Sequence, residues 1–202
     1  MAPGAGLGLG SEYLSAVVDE RELARGRFLR FVVRDGWEFA DRVGITGIVG
    51  IVAVTDDRKL LLVEQHRPPV GGAVLELPAG LVGDEAGTEH EDLVDGARRE
   101  LLEETGFEAA NWEVVASGPT SPGTTSEIIA LLLATELTHV GPGGGHGAES
   151  LTVHEVPLDD AEAWLCEREK TGVLIDLKIY AGLWFARCPG RKPTESRGES
   201  HS

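Results

Sequence analysis

Apolar and polar residues alternate in short runs between residues 12 and 42. Within that stretch "RFLRFVVRDGWEF" (27–39) predicts two strands joined by a tight turn at Asp35-Gly36, because both residue types tolerate the left-handed backbone that such turns need. The pattern then changes. "TGIVGIVAVT" (46–55) is β-branched and apolar on both faces, the polar residues 56–59 read as a turn, and "LLLVEQHR" (60–67) follows. This predicts a second hairpin with one strand wholly buried. "AVLELPAG" (73–80) predicts a further short strand, stopped by Pro78.

After the polar loop "GDEAGTEHE" (83–91) the apolar spacing becomes helical, from about Asp92 to Thr105, with Gly106 as the C-terminal stop. "NWEVVASG" (111–118) and "EIIALLLATEL" (127–137) predict strands, and "GPGGGHGA" (141–148) is too rich in glycine to hold structure alone. "PLDDAEAWLCEREK" (157–170) and "DLKIYAGLWFARC" (176–188) predict two helices, with Asp159 or Asp160 as N-cap of the first and Trp164, Trp184 and Phe185 in the core. Strands, helix, strands, helices in that order predict an α+β fold with a mixed sheet and flanking helices.

The 202 residues suit one domain with a proper core and a small appendage. The expected division is an N-terminal β subdomain over 12–42 and a main domain over 43–187, between disordered polar tails at 1–11 and 188–202. There is no apolar run of about 18 residues and no secretory leader pattern, so neither a membrane nor an export route is expected. A net charge of −16 argues against a nucleic-acid partner. A small anionic ligand would need local arginine or a bridging cation. Cys166 and Cys188 lack metal-ligand spacing and read as buried free thiols of a cytoplasmic protein. The histidines His66, His90, His139, His146 and His154 show no ligand spacing either.

The candidate chemistry lies in "RRELLEETGF" (98–107). On a helix Leu93, Ala97 and Leu101 form one stripe, Glu100 and Glu104 border it, Glu103 lies further round, and Arg99 is placed to pair with Glu103 one turn on. Carboxylates beside an apolar stripe are costly unless a cation or donors compensate, and oxygen ligands one turn apart suit Mg²⁺ or Mn²⁺. Geometry alone leaves a salt-bridged helix face equally open.

The spacing around these residues resembles the Nudix box, G-x5-E-x7-R-E-U-x-E-E-x-G-U with U apolar. From Glu91 onward every specified position is met, by Arg99, Glu100, Leu101, Glu103, Glu104, Gly106 and Phe107. The first half departs. Counting back strictly puts Glu85 in the glycine slot; Gly80 of "ELPAG" is the preferred box glycine, with a five-residue insertion before Glu91, because members of the resembled family enter the box in this way straight after a strand. Gly96 within the helix is unusual and costs up to about 1 kcal/mol relative to alanine.

Membership of the Nudix hydrolases implies an α/β/α sandwich with a mixed sheet. Pro122, sixteen residues beyond Gly106 in "SPGTTSE", resembles the marker of the ADP-ribose pyrophosphatase branch. That resemblance implies Mg²⁺-dependent hydrolysis of ADP-ribose to AMP and ribose 5-phosphate, with Mn²⁺ as a substitute. It implies metal ligation by Glu100, Glu103, Glu104 and the carbonyl of Ala79. Catalytic roles fall to Glu103, Glu104 and the general base Glu149 of "AESLTVHEV", with Glu155 as its rival. Substrate contacts are implied for Arg67 of "VEQHR" with phosphate, for Pro122, Gly123 and Glu127 near the terminal ribose, and for Trp37 or Phe39 on adenine. Hairpin packing is an equal alternative for the two aromatics, and a surface charge or plain loop polarity for Arg67 and Glu149. A homodimer is expected. The alternatives are another nucleotide sugar as substrate, GDP-mannose or UDP-glucose, or a non-catalytic ligand sensor on the same fold.

Overall fold

The computed structural model describes residues 19–84, 87–88, 90–145 and 150–188. The expected terminal tails, Cys188 apart, and Glu149 lie outside these. The chain divides into two units, the first joining residues up to Gly44 with Ser121–Glu127.

In the first unit β1 (Glu20–Arg25), β2 (Leu29–Arg34) and β3 (Trp37–Arg42) form an antiparallel sheet in that order. The predicted turn is there: Asp35 and Gly36 both adopt positive φ, 51° and 82°, which matches the twist of the strands they join. Residues 121–127 attach at Ala40, whose N–H donates to the Thr124 carbonyl at 2.9 Å while its own carbonyl accepts from Ser126 N–H at 3.2 Å.

The second unit runs β4 (Gly47–Ala53), β5 (Lys59–Arg67), β6 (Gly72–Glu76), β7 (Ala79–Val82), α1 (Leu93–Thr105), β8 (Phe107–Pro119), β9 (Ile128–His139), β10 (Thr152–Pro157), α2 (Ala161–Lys170), β11 (Leu174–Ile175) and α3 (Lys178–Arg187). Two mixed four-stranded sheets result, β7-β4-β9-β8 and β10-β5-β6-β11. Alternation along the strands assigns their faces. Val49, Ile51 and Ala53 of β4 and Ala130, Leu132 and Ala134 of β9 pack with Ala97 and Leu101 of α1. Val52, Leu131 and Leu133 point the other way, into a core shared with Ala161 and Leu165 of α2 and Ile179, Leu183 and Ala186 of α3. This is the expected α+β sandwich with mixed sheets between helices.

Several expectations change. The predicted second hairpin is not a ladder: β4 and β5 lie in different sheets, and their backbones pair through a bridge between Val54, just beyond β4, and Leu60. A left-handed Arg58 (φ 63°) turns the chain there, and since both strands are apolar on both faces, each can be covered on two sides. The strand expected over 73–80 is two strands, β6 and β7, broken at Leu77-Pro78 and sent to different sheets. Leu93 is 36% exposed rather than buried, and Trp184 is 52% exposed, while Trp164 and Phe185 pack partly buried against the core as expected. Cys166 and Cys188 are free but exposed, contrary to the buried thiols expected. Asp160 takes the N-cap position of α2 without a capping side-chain bond. Residues 141–145 of the glycine run hold a defined backbone against the end of α1.

α1 itself is capped as its sequence predicts. The Asp92 carboxylate accepts from the N–H groups of Val94 and Asp95, both at 2.9 Å, and Gly106 ends the helix at φ 75°. Asp92→Ala removes both capping bonds and is expected to cost about 1 kcal/mol, lowering Tm by about 2–4 °C for a chain of this size. A thermal melt followed by circular dichroism checks this; an unchanged Tm contradicts it.

Candidate functional site

α1 presents Gly96, Ala97, Leu101, Glu104 and Thr105 as its buried side. Glu104 is 6% exposed, and its Oε2 accepts the Ala79 N–H of β7 at 3.0 Å. Glu100, one turn earlier, lies on the same strand at Gly80. A Cβ on residue 80 would stand 1.9 Å from Glu100 Cδ, so glycine at this position lets the Glu100 side chain lie directly against the strand. The helical Gly96 has a similar explanation, since a Cβ there would meet Val82 Cγ2 at 2.8 Å. Contact with the strand outweighs the propensity cost of glycine.

Arg99 organises the charge. Its guanidinium donates to Glu100 Oε1 at 2.8 Å, to both oxygens of Glu91 at 3.3 Å and to the Leu81 carbonyl at 2.9 Å. Glu103 stands 3.7 Å from it and Asp84 3.8 Å. One cation is thus shared among four carboxylates of the described residues, and the expected Arg99–Glu103 pairing is, with Asp84, one of its two long arms. Burial pushes the Glu100 carboxyl up to about 7; Arg99 opposes this, while Glu103 and Asp84 add repulsion.

Glu100, Glu103 and Glu104, expected as metal ligands, therefore share one helix end, with the backbone of Ala79 bonded to the last of them. Their side chains do not converge: among the described residues no group of three or more His, Cys, Asp or Glu is placed to hold a metal ion. Glu100 is turned to Arg99 and Glu104 to Ala79. The donor set nevertheless fits a divalent cation in kind. It offers hard oxygens in an excess of negative charge, with the Glu100 carboxylate lying against the strand over Gly80.

The other expected residues fall in separate places. Arg67 Nε donates to Glu76 Oε2 at 2.7 Å, and Gln65 donates to the same oxygen at 3.1 Å, so Arg67 is held by a carboxylate rather than standing free. Glu155 faces Lys59 at 3.2 Å. Trp37, Phe39, Pro122 and Gly123 come together in the first unit, lining a cavity of about 400 Å³ with Arg34 and Thr125. The Arg34 guanidinium sits 5.1 Å from the Phe39 ring centre. Glu127 accepts from Arg42 Nε at 2.5 Å. Sequence reasoning missed Asp84, Glu76 and Arg34. The first was signalled only by its acidity near the box, the second by its alternation with Arg67 across adjacent strands.

Residues 45–178 match the NUDIX domain. The chain belongs to the NUDIX family. It is similar to the ADP-ribose pyrophosphatase of Mycobacterium tuberculosis, 40% identical over 68% of this chain and 63% of that protein. It is also 37% identical to the methanol dehydrogenase activator of Bacillus methanolicus over 60% of this chain and 64% of that protein. The chain thus spans somewhat under two thirds of the length of these relatives. The crystal structure of an ADP compounds hydrolase shares its fold, with a TM-score of 0.65 at 21% identity over 85% of this chain and 91% of that one. The NUDIX match begins at Ile45, so the cavity of the first unit, apart from its own residues 121–127, lies ahead of it.

Arg99 is expected to be the keystone of the NUDIX helix even without ligand. Arg99→Met strips Glu91 and Glu100 of their shared donor and should cost about 2 kcal/mol, a fall in Tm of about 4–8 °C measured in EDTA. A change within error would show that solvent serves these carboxylates as well as Arg99 does.

Proposed function

We propose that the protein hydrolyses the diphosphate bond of ADP-ribose, giving AMP and ribose 5-phosphate, in a reaction that depends on Mg²⁺ or Mn²⁺. The observation that carries this reading is the crowding of Asp84, Glu91, Glu100 and Glu103 around the single Arg99. That surplus of charge is hard to account for without a cation to offset it. The similarity to an ADP-ribose pyrophosphatase supports the choice of substrate.

Glu100, Glu103 and Glu104 would hold the metal, with the carbonyl of Ala79 as a further ligand. A bound divalent cation supplies charge neutralisation for the diphosphate and polarises the phosphorus. To serve as ligands, Glu100 leaves Arg99 and Glu104 leaves the Ala79 N–H. Arg99 keeps Glu91 as partner, so the helix is not left with an unpaired cation. Arg67 exchanges Glu76 for a phosphate oxygen, a bond that fixes the diphosphate. Glu149 accepts the proton of the attacking water as general base. Trp37 and Phe39 stack on the adenine, and Pro122, Gly123 and Glu127 border the terminal ribose. We assign the enzyme to the cytoplasm and to a homodimer, in which these groups need not all come from one chain.

Two experiments test the reading. Turnover of ADP-ribose, GDP-mannose and UDP-glucose, each with and without Mg²⁺ and with products identified, is expected to favour ADP-ribose and to vanish without metal. Preference for another nucleotide sugar would move the substrate but keep the chemistry, and absence of turnover with every metal would leave a ligand sensor. Glu149→Gln is expected to lower kcat by about 10²–10⁴-fold, with Glu155→Gln near wild type; the reverse result would transfer the general base to Glu155.

A further inference from the structure

The last carbonyls of an α-helix have no partner within the helix and must find one elsewhere. In α1 two of them belong to Glu103 and Glu104. Both are taken by the glycine run: Gly144 N–H donates to the Glu104 carbonyl at 2.8 Å and Gly145 N–H to the Glu103 carbonyl at 3.1 Å. The Gly106 carbonyl just beyond accepts from Val140 at 2.9 Å and from Gly141 at 3.0 Å. Four backbone bonds therefore join residues 140–145 to the end of the carboxylate helix. The bond from Leu151 N–H to the Gly144 carbonyl, at 3.1 Å, ties the following chain back to the same point.

The contact is too close for side chains. A Cβ on residue 143 would lie 2.4 Å from the Thr105 carbonyl carbon, and one on Gly106 would lie 2.1 Å from the Gly141 carbonyl oxygen. Both glycines also have positive φ, 61° and 75°. Backbone lies against backbone, so neither partner can yield by turning a rotamer. Glycine at 143 is thus required by distance and by conformation together.

We infer that Gly141–Gly145 is a positioning clamp for the carboxylate helix, fixing the backbone of Glu103 and Glu104 from which their side chains reach toward a cation. The inference rests on the proposed metal role of those carboxylates. The clamp touches neither metal nor substrate, and it acts through the two glutamates whose carbonyls it holds.

The test compares Gly143→Ala with Gly118→Ala, where an added Cβ meets nothing within 4 Å. Free Mn²⁺ is measured by electron paramagnetic resonance well below each variant's Tm. Gly143→Ala is expected to weaken Mn²⁺ binding by about 10–100-fold, the range for groups that orient ligands, while Gly118→Ala binds as wild type does. Should Gly143→Ala fail to fold, the wild-type protein supplies the second readout. Linked equilibria are reciprocal, so saturating Mg²⁺ is expected to slow amide exchange at Gly144 and Gly145. Wild-type binding with an unchanged Gly143→Ala affinity, or exchange at these two amides that ignores Mg²⁺, overturns the clamp alone. A wild-type protein that binds neither ion overturns both the clamp's role and the proposed metal site.

Discussion

The close approach of α1 to β7 is the constraint on which the second unit depends. A helix carrying carboxylates on its buried side cannot simply rest on a sheet, because each unpartnered charge taken from water is costly. Here the strand supplies compensation directly, through the Ala79 N–H to Glu104 and the Leu81 carbonyl to Arg99. Such bonds form only if the two backbones come near. Gly80 and Gly96 permit this from the two sides of the contact. Packing and electrostatics are therefore one requirement in this region.

The parts of this arrangement readable from sequence were the local ones. Asp92 and Gly106 bracket α1 because capping is decided within a few residues of each helix end. Asp35-Gly36 mark their turn for the same reason. The spacing of Arg99, Glu100, Glu103 and Glu104 places these groups in the last two turns of α1 whatever surrounds it. What was not legible is what each local segment meets. The β-branched and apolar runs "TGIVGIVAVT" and "LLLVEQHR" predict strands equally for one sheet or for two, so the parting of β4 from β5 has no local signature. Pro78 signals an interruption, but not that the chain crosses between sheets there.

The same distinction applies to the candidate site. Residue type and spacing put Glu100 and Glu104 beside the apolar stripe, as found. The preference for Gly80 despite the insertion before Glu91 named the residue, but did not show that Glu100 lies directly against it while Glu104 bonds to Ala79. Nor could residue type and spacing show that Arg67 is held by Glu76, a pairing between neighbouring strands. Trp37 and Phe39 meet Pro122 and Gly123 across more than eighty residues of chain. The family resemblance assigned the aromatics to the adenine and Pro122-Gly123 to the terminal ribose, so their meeting in one cavity was not foreseen, and no periodicity could have shown it.

The glycine run shows how composition alone can mislead. A stretch of glycines carries a large entropic cost of ordering, which is why it reads as structureless by itself. That cost is offset where the alternative is worse: a helix end packed under another segment, with two carbonyls unpaired. Any side chain larger than hydrogen at 143 would hold the segment away from the Thr105 backbone and leave those carbonyls to water. Flexibility in the unfolded chain and close contact in the folded one then have a single origin, the missing Cβ. By this reasoning Gly143 is glycine because it is held, and the helix end it lies against is the one that carries the carboxylates.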